Sequence, residues 1–594
     1  MLLSVVAHAQ NYVPGEIIVK LKSEAGSNES YAFMGKAHSE KEMLLKDSWG
    51  KMKMYHFALK KGQSVEAAVA EMKADPNVLY AEPNYYLDKF DEVGMHQTFS
   101  AGEIQAASVQ AQSGYMATSA NIGVTSVWSS FSGMPAVKPI VAIIDTGLDT
   151  NHYVIRDTGA LWTNPGEIAG NGIDDDGNGY VDDVHGWNFV SNSGTIIDDD
   201  GHGTHVTGII LSVDQNIYTT PLKAAKIQVM PLKFLNGSGV GSTSDAIRAI
   251  YYAVNNGATV LNNSWGGTTY SASLHEAVAY TYSKGALFVA AAGNSALNND
   301  SYPMYPASYN VPNVLSVLAT TDYDYKASFS NFGATTVHLG SPGVFILSTV
   351  PNDAFGTSSG TSMAAPFVTG TAAQMKVESA NMLGYQLKSI LLSQYSSVPQ
   401  LANQDTTGGR LNSAAAVGYA KTAAVDGSQP PYTISYQSDR DLASNVTGAG
   451  GCGTVRALGD KMPPGASAGA VVVLLLLPIL VLVVLRVTAP RNRRKHERFS
   501  INSDVRIKVG DREMVGSVSS ISLGGVCVNT SALLQDGGLV TMAIASPDGS
   551  EKVEVAGRIV WSEANKAYGV AFDKTPQTVL SRIADWTRGL QRAA

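Results

Sequence analysis

The sequence predicts an α/β fold in which helices cover both faces of a parallel sheet. Between residues 126 and 422, strand-like runs that are almost uniformly apolar alternate with helical stretches, and three of these runs lie at 140–144, 229–234 and 287–291. Such runs suit strands buried on both faces, and the intervening helices are the connections that parallel strands require. The chain has 594 residues, so smaller domains are expected on both sides of this region.

Composition excludes several classes of protein. A hydrophobic content of 44% and 58 glycines indicate a folded chain rather than a disordered one. The net charge of −8 argues against a nucleic acid polymer as the main partner. Cys452 and Cys527 are the only cysteines, so a disulfide framework is excluded, and a large core or a bound metal must supply the stability.

Three short motifs supply a carboxylate, an imidazole and a hydroxyl, the groups that serine hydrolysis needs. Asp145 ends a buried strand in IIDTG, at the sheet edge where α/β folds gather their sites. His202 begins a helical run in GHGTHV, and Ser362 lies in GTSMAAP at a helix N-terminus, which favours negative charge. In this order, over residues 126–422, the motifs resemble those of the subtilase family of serine endopeptidases.

The resemblance implies a subtilisin-like peptidase domain in which Asp145, His202 and Ser362 form a catalytic triad acting on proteins and peptides. It makes His202 the base and leaves the neighbouring His205 a structural role. Residues 289–294, VAAAGN, resemble the oxyanion motif of the family, with the Asn294 side chain as donor beside the backbone N–H of Ser362. The alternative for Asn294 is a turn that follows a strand.

Two segments resemble the edges at which subtilases pair with an extended peptide by β-augmentation. Their glycines let a substrate backbone approach closely. These edges comprise Ser238, Gly239 and Val240 on one side and Ser264, Trp265 and Gly266 on the other. The family more often has an aliphatic residue at the position of Trp265. Met304 falls at the expected floor of the primary pocket and favours medium-sized apolar side chains there.

An acidic loop at residues 171–183 resembles the first half of an EF-hand loop, with oxygen ligands at alternate positions and glycine at the sixth. The candidate Ca²⁺ ligands are Asp174, Asp176, Asn178, the Tyr180 carbonyl and Asp182. The twelfth position is His185 instead of Glu, so Asp183 or another loop would complete the shell. Because so many carboxylates repel one another without a cation, Ca²⁺ is favoured over a solvated loop. Residues 198–200, DDD, are expected to form a solvated turn.

Residues 11–90 are predicted to form a small α+β domain. A strand-like run at 16–21, a helical run at 65–72 and a closing strand at 77–84 follow one another. With GEIIVKLK and VLYAEPNYYL, this order resembles the inhibitory propeptides of subtilases, although small ferredoxin-like folds share such patterns. Residues 91–125 are polar and are expected to be an exposed linker, open to maturation cleavage.

Both membrane-related signals point to an exported peptidase domain. Residues 1–10, MLLSVVAHAQ, resemble a signal peptide remnant with a small-x-small cleavage site; a frayed terminus is the alternative. Residues 423–465 read as a flexible stalk, and residues 466–486 as a transmembrane helix, since 20 of them carry no charge. A basic cluster follows, which places the C-terminal side in the cytoplasm and the peptidase domain outside a bacterial cell membrane.

An alternative for this region is proteolytic processing. Residues 450–453, GGCG, followed by an apolar helix and a basic cluster, resemble bacterial C-terminal sorting signals, which are cut to release or re-anchor a protein. In those signals the chain normally ends after the basic cluster, whereas here a further domain follows. A cut near Cys452 is therefore ranked second to an intact single-pass protein.

Residues 491–594 are predicted to form a small β-barrel of short strands followed by a helix. An R-x-x-x-R motif and a later S-x-S-x-x-G motif resemble the PilZ domain, which binds cyclic di-GMP. The resemblance implies a nucleotide site because arginine forks pair with phosphate and guanine edges. Its residues would be Arg494, Arg498, Ser522 and Gly525. Ser520 stands where the family has Asp or Asn, and the arginines alternatively serve membrane topology alone.

Two functions from different classes agree with these motifs. The first is a membrane-tethered serine endopeptidase with a cytoplasmic cyclic di-GMP-binding domain. The second is a cyclic di-GMP sensor whose subtilase domain serves only recognition. Asp145, His202, Ser362 and Asn294 are all present, which favours the enzyme.

Overall fold

The structure is a computed structural model, and the chain divides into two compact units, Met1–Ala457 and Leu458–Ala594. In the first unit it describes residues 11–23, 27–39, 41–49, 52–90, 97–100, 121–130, 133–425 and 428–434. In the second it describes residues 499–509, 512–522, 525–530, 539–546, 551–563 and 567–572, together with residues 576, 579, 582, 583 and 586.

The N-terminal domain is an antiparallel sheet that packs on two helices. Its elements are β1 (Tyr12–Leu21), α1 (Ser27–Ser39), β2 (Leu44–Trp49), β3 (Met54–Ala58), α2 (Val65–Ala74) and β4 (Val78–Lys89). The strand order is β4-β1-β3-β2. Ile17 and Val19 of β1 point into a core that Ala68 and Met72 of α2 close. The predicted strand, helix and strand are present, and the structure adds α1, β2 and β3.

The segment expected to be an exposed linker, residues 91–125, contains ordered structure where it is described. Gln97–Ser100 form β5, and Phe99 of β5 stands opposite Phe355 in an antiparallel ladder. A helix, α3 (Val124–Ser130), follows before the central sheet begins. Main-chain hydrogen bonds to a neighbouring strand, which sequence polarity does not reveal, account for the difference.

The central domain confirms the predicted α/β fold. Its remaining strands are β6 (Ile140–Asp145), β7 (Trp187–Asn188), β8 (Gln228–Lys233), β9 (Val240–Ser242), β10 (Ala258–Asn263), β11 (Trp265–Gly266), β12 (Leu287–Ala291), β13 (Val314–Thr320), β14 (Leu339–Pro342), β15 (Ile346–Val350), β16 (Ala354–Ser358), β17 (Ser396–Ser397) and β18 (Gly409–Arg410). The described strands form a sheet in the order β17-β18-β14-β13-β12-β10-β6-β8-β7. Every neighbouring pair is parallel except β17 with β18.

Helices cover both faces of this sheet. They are α4 (Tyr153–Thr158), α5 (His202–Asp214), α6 (Thr243–Asn255), α7 (Ala272–Ser283), α8 (Thr361–Glu378), α9 (Gly384–Leu391) and α10 (Ser413–Ala420), and a short 3-10 turn spans Pro399–Leu401. On β6, Ala142 and Ile144 pack into one apolar core, whereas Val141 and Ile143 pack into another. Because both faces of the strand are buried, every position from 140 to 144 is apolar.

Part of the expected flexible stalk, residues 423–465, packs on the central domain. Residues 428–434 lie along α7, where the Tyr282 hydroxyl donates to the Pro430 carbonyl at 2.6 Å. The Tyr432 hydroxyl donates to the Asn310 carbonyl at 2.8 Å. A short stretch of this Pro-rich segment is therefore held to the domain by the distant Tyr282 and by its own Tyr432.

The second unit is a curled antiparallel sheet. Its strands are β19 (Phe499–Val509), β20 (Arg512–Ser522), β21 (Gly525–Asn529), β22 (Leu539–Ala545), β23 (Lys552–Glu563) and β24 (Ala567–Phe572). They pair in the order β19-β20-β21-β24-β23-β22, and pairing of β19 with β22 closes the ring. Alternate residues such as Val505, Ile507 and Val518 fill its interior, where Ile583 of the helical C-terminal segment also packs.

Within the described part of the chain, no helix combines the length and apolar character needed to cross a membrane. The predicted transmembrane helix at 466–486 and the predicted signal remnant at 1–10 lie outside the described residues. Arg494 and Arg498 of the predicted nucleotide site also lie outside them.

Candidate active site

Asp145 and His202 meet at the carboxyl edge of the central sheet. Asp145 is the last residue of β6, and His202 is the first residue of α5. The Nδ1–H of His202 donates to Oδ1 of Asp145 at 2.7 Å, and the backbone N–H of Thr146 donates to the same oxygen at 2.7 Å. Both side chains are buried. The bond to the carboxylate places the proton of the imidazole on Nδ1 and fixes the plane of the ring.

A second buried carboxylate, Asp198, holds these two elements together. Its oxygens accept hydrogen bonds from the Thr146 hydroxyl at 2.8 Å, the Gly201 N–H at 2.8 Å and the N–H and hydroxyl of Thr204 at 2.8 and 2.7 Å. Burial raises the pKa of Asp198, but these hydrogen bonds outweigh it and bring the pKa below its ordinary value. The prediction of a solvated turn is therefore wrong for Asp198. Its carboxylate joins the end of β6 to the first turn of α5.

Ser362 lies in the first turn of α8, beside β11. Its hydroxyl donates to the Ser264 carbonyl at 3.2 Å, and the Ser264 hydroxyl donates to the Ser362 carbonyl at 3.1 Å. Both serines are fully buried. These two hydrogen bonds join α8, the helix that carries Ser362, to Ser264, the first residue of the predicted substrate-binding segment.

The Asn294 side chain turns its N–H groups toward Ser362. Its Oδ1 accepts from the N–H of Thr361 at 2.9 Å and from the Thr361 hydroxyl at 2.8 Å. A Cβ at Gly360 would lie 3.1 Å from Nδ2 of Asn294 and 3.6 Å from the backbone nitrogen of Ser362. Two N–H donors therefore border the same small space beside Gly360.

The N-terminal domain occupies the predicted substrate edges. The end of β4 runs antiparallel to both β9 and β11, with Asp88 opposite Val240 and Gly266. The N–H of Lys89 donates to the Gly239 carbonyl at 2.8 Å. Residues 86–89 thus lie between two strands, as an added peptide strand would.

The residues predicted to contact the substrate differ in what they do. Some pair through their main chains, and others line the pocket. A Cβ on Gly266 would lie 2.7 Å from the Phe90 ring, and Phe90 belongs to the same apolar cluster as Met304. Trp265 pairs with Lys89 through its main chain, but its side chain is fully buried against Phe234. Ser238 is exposed, and its N–H donates to Asn236 Oδ1 within a turn. Ser264 contacts Ser362 instead of the N-terminal domain.

Two polar side chains of β4, which sequence reasoning missed, anchor the N-terminal domain. Glu82 lies at the N-terminus of α7, where its carboxylate accepts from the Ala272 N–H at 2.9 Å and the Ser271 hydroxyl at 2.7 Å. Asn84 lies at the start of α6, where its Oδ1 accepts from the Ser244 N–H at 2.9 Å. Burial raises the pKa of Glu82. Both side chains satisfy helix N-terminal donors that lack partners within their own helices.

Comparison with known proteins finds family matches for three parts of the chain. The subtilase family model matches residues 137–420. A thermophilic serine proteinase of Bacillus sp. (strain AK1) is 33% identical over 377 residues, which cover 63% of this chain and 81% of that protein. The chain belongs to the subtilase family. Thermitase of Thermoactinomyces vulgaris is 36% identical over 232 residues, covering 39% of this chain and 72% of thermitase.

The flanking regions of this subtilase match other family models. The fervidolysin N-terminal prodomain matches residues 4–84, and the PilZ domain matches residues 492–589. A solved structure of a cold adapted subtilisin-like serine proteinase aligns with a TM-score of 0.39 at 30% identity, covering 48% of this chain and 91% of that one. The chain is therefore a subtilisin-like serine proteinase with an N-terminal prodomain and a C-terminal PilZ domain.

The second histidine of the subtilase HGTH motif is part of the core. His205 is buried in α5, where its Nε2–H points at the carbonyls of Ile346 and Gly356 at 3.1 and 3.0 Å. Burial lowers the pKa of His205 to about 4, so the ring is neutral at physiological pH. These contacts agree with the structural role expected for it.

The carboxylates that lie together at the acidic loop are not the set that was predicted from alternate positions along the chain. Oxygens of Glu167, Asp176 and Asp183 lie within 4.8 Å of one another. Asp182 instead accepts from the N–H groups of residues 170–172, and Asp174 accepts from those of Asn178 and Gly179. The Asn178 amide bridges Asp176 and Asp183, while the Tyr180 ring packs into the core. Alternation along the chain did not reveal this grouping, because Glu167 lies outside the loop.

In the PilZ domain, Ser522 and Gly525 are the residues of the predicted nucleotide site that the structure describes, and they lie at the connection between two strands. Ser522 ends β20 and Gly525 begins β21, and the two residues are paired. The Ser522 hydroxyl donates to the Gly525 carbonyl at 3.1 Å, and the serine is buried. Ser520 lies on β20 opposite Cys527.

Thr361→Val is expected to lower kcat about tenfold with little change in KM, since it removes the hydroxyl that holds Asn294 Oδ1 and loosens the adjacent Nδ2 donor. Thr361→Ser keeps the hydroxyl and should retain most of the activity. Steady-state kinetics on a chromogenic peptide measure both variants. A rise in KM with unchanged kcat, or equal losses of kcat in the two variants, would contradict this role of Thr361.

Proposed function

We propose that Asp145, His202 and Ser362 are the catalytic triad of this serine endopeptidase, with Asn294 as oxyanion donor. The observation that carries the proposal is the 2.7 Å bond between His202 Nδ1 and Asp145 Oδ1. It leaves Nε2 as the basic atom of the ring, which is the atom that a serine nucleophile requires. The position of Ser362 at a helix N-terminus favours the negative charge that develops in acyl transfer.

The proposed chemistry begins with attack of Ser362 Oγ on the scissile carbonyl carbon while His202 Nε2 takes the hydroxyl proton. The oxyanion lies between Asn294 Nδ2 and the Ser362 N–H, and Asp145 stabilises the imidazolium. The C–N bond then breaks as His202 returns its proton to the leaving amine. Water, deprotonated by the same imidazole, hydrolyses the acyl ester and regenerates Ser362.

The proposed substrate is an extended polypeptide that takes the place of residues 86–90. These residues pair with β9 and β11 through main-chain hydrogen bonds, which are available to any sequence. The same geometry makes the prodomain an inhibitor for as long as it stays in the cleft. We therefore propose that the protein is a zymogen.

Ser362→Ala is expected to remove almost all hydrolysis of casein, because no other group then attacks the carbonyl. Binding and the oxyanion donors alone supply a rate only about 10³-fold above that of uncatalysed hydrolysis in water. The measurement is release of labelled casein fragments by the full chain. Ser301→Ala, at an exposed loop serine, is the matched control and should leave the rate unchanged. Equal casein hydrolysis by Ser362→Ala and wild type would refute the triad.

We propose that Glu167, Asp176 and Asp183 hold Ca²⁺ beside the central sheet. Carboxylate oxygens are the ligands that this hard cation prefers. Oε2 of Glu167 is buried without a hydrogen bond, so a cation would satisfy it. The ion would neutralise three neighbouring negative charges and brace the loop at 171–183.

Removal of Ca²⁺ with EDTA should lower the thermal unfolding midpoint, since a ligand that binds only the folded state stabilises it by about 2.7 kcal/mol at a hundred times its Kd. Asp176→Asn should lose most of this Ca²⁺-dependent shift. Asp174→Asn, whose carboxylate faces backbone N–H groups, should keep it. Calorimetric scans with and without Ca²⁺ measure the shift, and its loss in both variants would favour the alternating ligand set, which contains Asp174 as well as Asp176.

For the C-terminal half we propose a single-pass topology in a bacterial cell membrane. The charge-free run at 466–485 and the basic residues after it support a helix whose C-terminal side is cytoplasmic. The prodomain and peptidase domain would then lie outside, in contact with extracellular or periplasmic proteins. The PilZ domain would lie inside, where it would bind cyclic di-GMP through Arg494, Arg498, Ser522 and Gly525.

Cyclic di-GMP should bind the detergent-solubilised full chain with measurable heat in titration calorimetry. Arg498→Ala should weaken binding at least tenfold by removing a bidentate phosphate partner. Arg506→Ala, at an exposed arginine on β19, removes the same charge and should bind like wild type. No heat at tens of micromolar ligand, or equal weakening by both variants, would reject this site.

A further inference from the structure

Three consecutive carboxylates, Asp198, Asp199 and Asp200, immediately precede the first turn of α5, and each has a different partner. Asp198 is satisfied by the hydrogen bonds that join β6 to α5. Asp199 accepts from the buried Lys233 ammonium at 2.6 Å. Asp200 turns to the prodomain. Two of the three charges therefore serve the fold of the peptidase domain, and the third faces the occupied cleft.

Asp200 binds Lys89 with both of its carboxylate oxygens. The Lys89 Nζ lies 2.6 Å from Oδ1 and 2.6 Å from Oδ2. The Asp200 side chain is 11% exposed and that of Lys89 is 22% exposed, so water screens the pair incompletely. The other described partner of the Asp200 carboxylate is the His202 N–H at 3.3 Å. Withdrawal of Lys89 would leave an anionic group at the cleft, two residues before His202.

The strand register locates Lys89 relative to the reacting groups. Lys89 is opposite Trp265 and Asp88 is opposite Gly266 in an antiparallel ladder. Continuing this register by one residue brings Phe90 opposite Ser264, whose carbonyl accepts the Ser362 hydroxyl. Phe90 lies in the pocket against Gly266, so Lys89 is the residue immediately before the pocket residue.

We propose that Asp200 is a specificity-determining residue that selects a cationic side chain at the residue before the pocket residue of a substrate. The inference rests on the proposed function, since it takes the position of residues 86–90 for that of a substrate. Lysine or arginine there would form the charge-assisted bonds that Lys89 forms. An acidic side chain at this place would face the carboxylate with like charge. Substrates are thus selected by an apolar pocket residue, the place that Phe90 holds here, preceded by a basic residue.

The test uses three blocked peptides that end in p-nitroanilide after the sequence of residues 86–90, Tyr-Leu-Asp-Lys-Phe. The second peptide has norleucine in place of Lys, which keeps the chain length without the charge, and the third has Glu. The full chain, cleaved within residues 91–125 and freed of the prodomain, is assayed for kcat/KM and labelled in parallel with a fluorophosphonate that reacts with active serines. Asp200→Asn retains an oxygen acceptor for the His202 N–H. Asp199→Asn removes one charge from the same turn and is the matched control.

We expect wild type to prefer the Lys peptide over the norleucine peptide by about ten- to a hundredfold, with the Glu peptide slowest. Asp200→Asn should bring the Lys-to-norleucine ratio close to one, Asp199→Asn should keep it, and 1 M salt should reduce it. If the serine is labelled but all peptides are cleaved at equal rates, the role of Asp200 alone is overturned. The same holds if the Lys-to-norleucine ratio is unchanged in Asp200→Asn. Neither labelling nor cleavage of any peptide overturns the proposed function and this inference with it.

Discussion

The buried carboxylate of Asp198 is the interaction on which the geometry of the active site depends. It accepts hydrogen bonds from the loop after β6 and from the first turn of α5, and so it joins the strand that ends in Asp145 to the helix that begins at His202. A buried anion is costly unless it is fully hydrogen-bonded, and five donors satisfy this one, the fifth being the Asp200 N–H at 3.2 Å. Both backbones are held at the same carboxylate, and the Asp145–His202 bond between them is 2.7 Å long.

The strand β4 has two roles that share one set of backbone hydrogen bonds. Its first half completes the sheet of the prodomain, and its end extends between β9 and β11. Glu82 and Asn84, between these halves, bind the N-termini of two helices in the peptidase domain. Folding of the prodomain and occupation of the cleft are therefore coupled, since one continuous strand does both.

Two ion pairs between the domains join a prodomain cation to a peptidase anion, whereas Asp47 of the prodomain faces Arg248 of the peptidase domain at 3.5 Å with the charges reversed. Lys89 meets Asp200, and Lys20 of β1 meets Glu276 of α7 at 2.6 Å. Each pair is partly buried, so its strength falls with salt less than that of an exposed pair. These contacts orient the prodomain together with the main-chain ladder and the apolar pocket around Phe90 and Met304.

Much of the fold and most of the candidate active-site residues could be read from local patterns. The apolar runs at 140–144 and 287–291 determine a doubly covered sheet, because each side chain on either face must be apolar there. The motifs around Asp145, His202, Ser362 and Asn294 name the proposed reacting groups through their resemblance to the subtilase family, and each motif lies within a few residues of a strand end or helix start. Only the tertiary structure decided the partners of carboxylates. It separated Asp198, Asp199 and Asp200 into three environments, grouped Glu167 with Asp176 and Asp183, and turned part of an expected linker into β5. A carboxylate has the same sequence signature whether it is buried, paired or solvated, and its partner is chosen by distances between residues that are far apart along the chain.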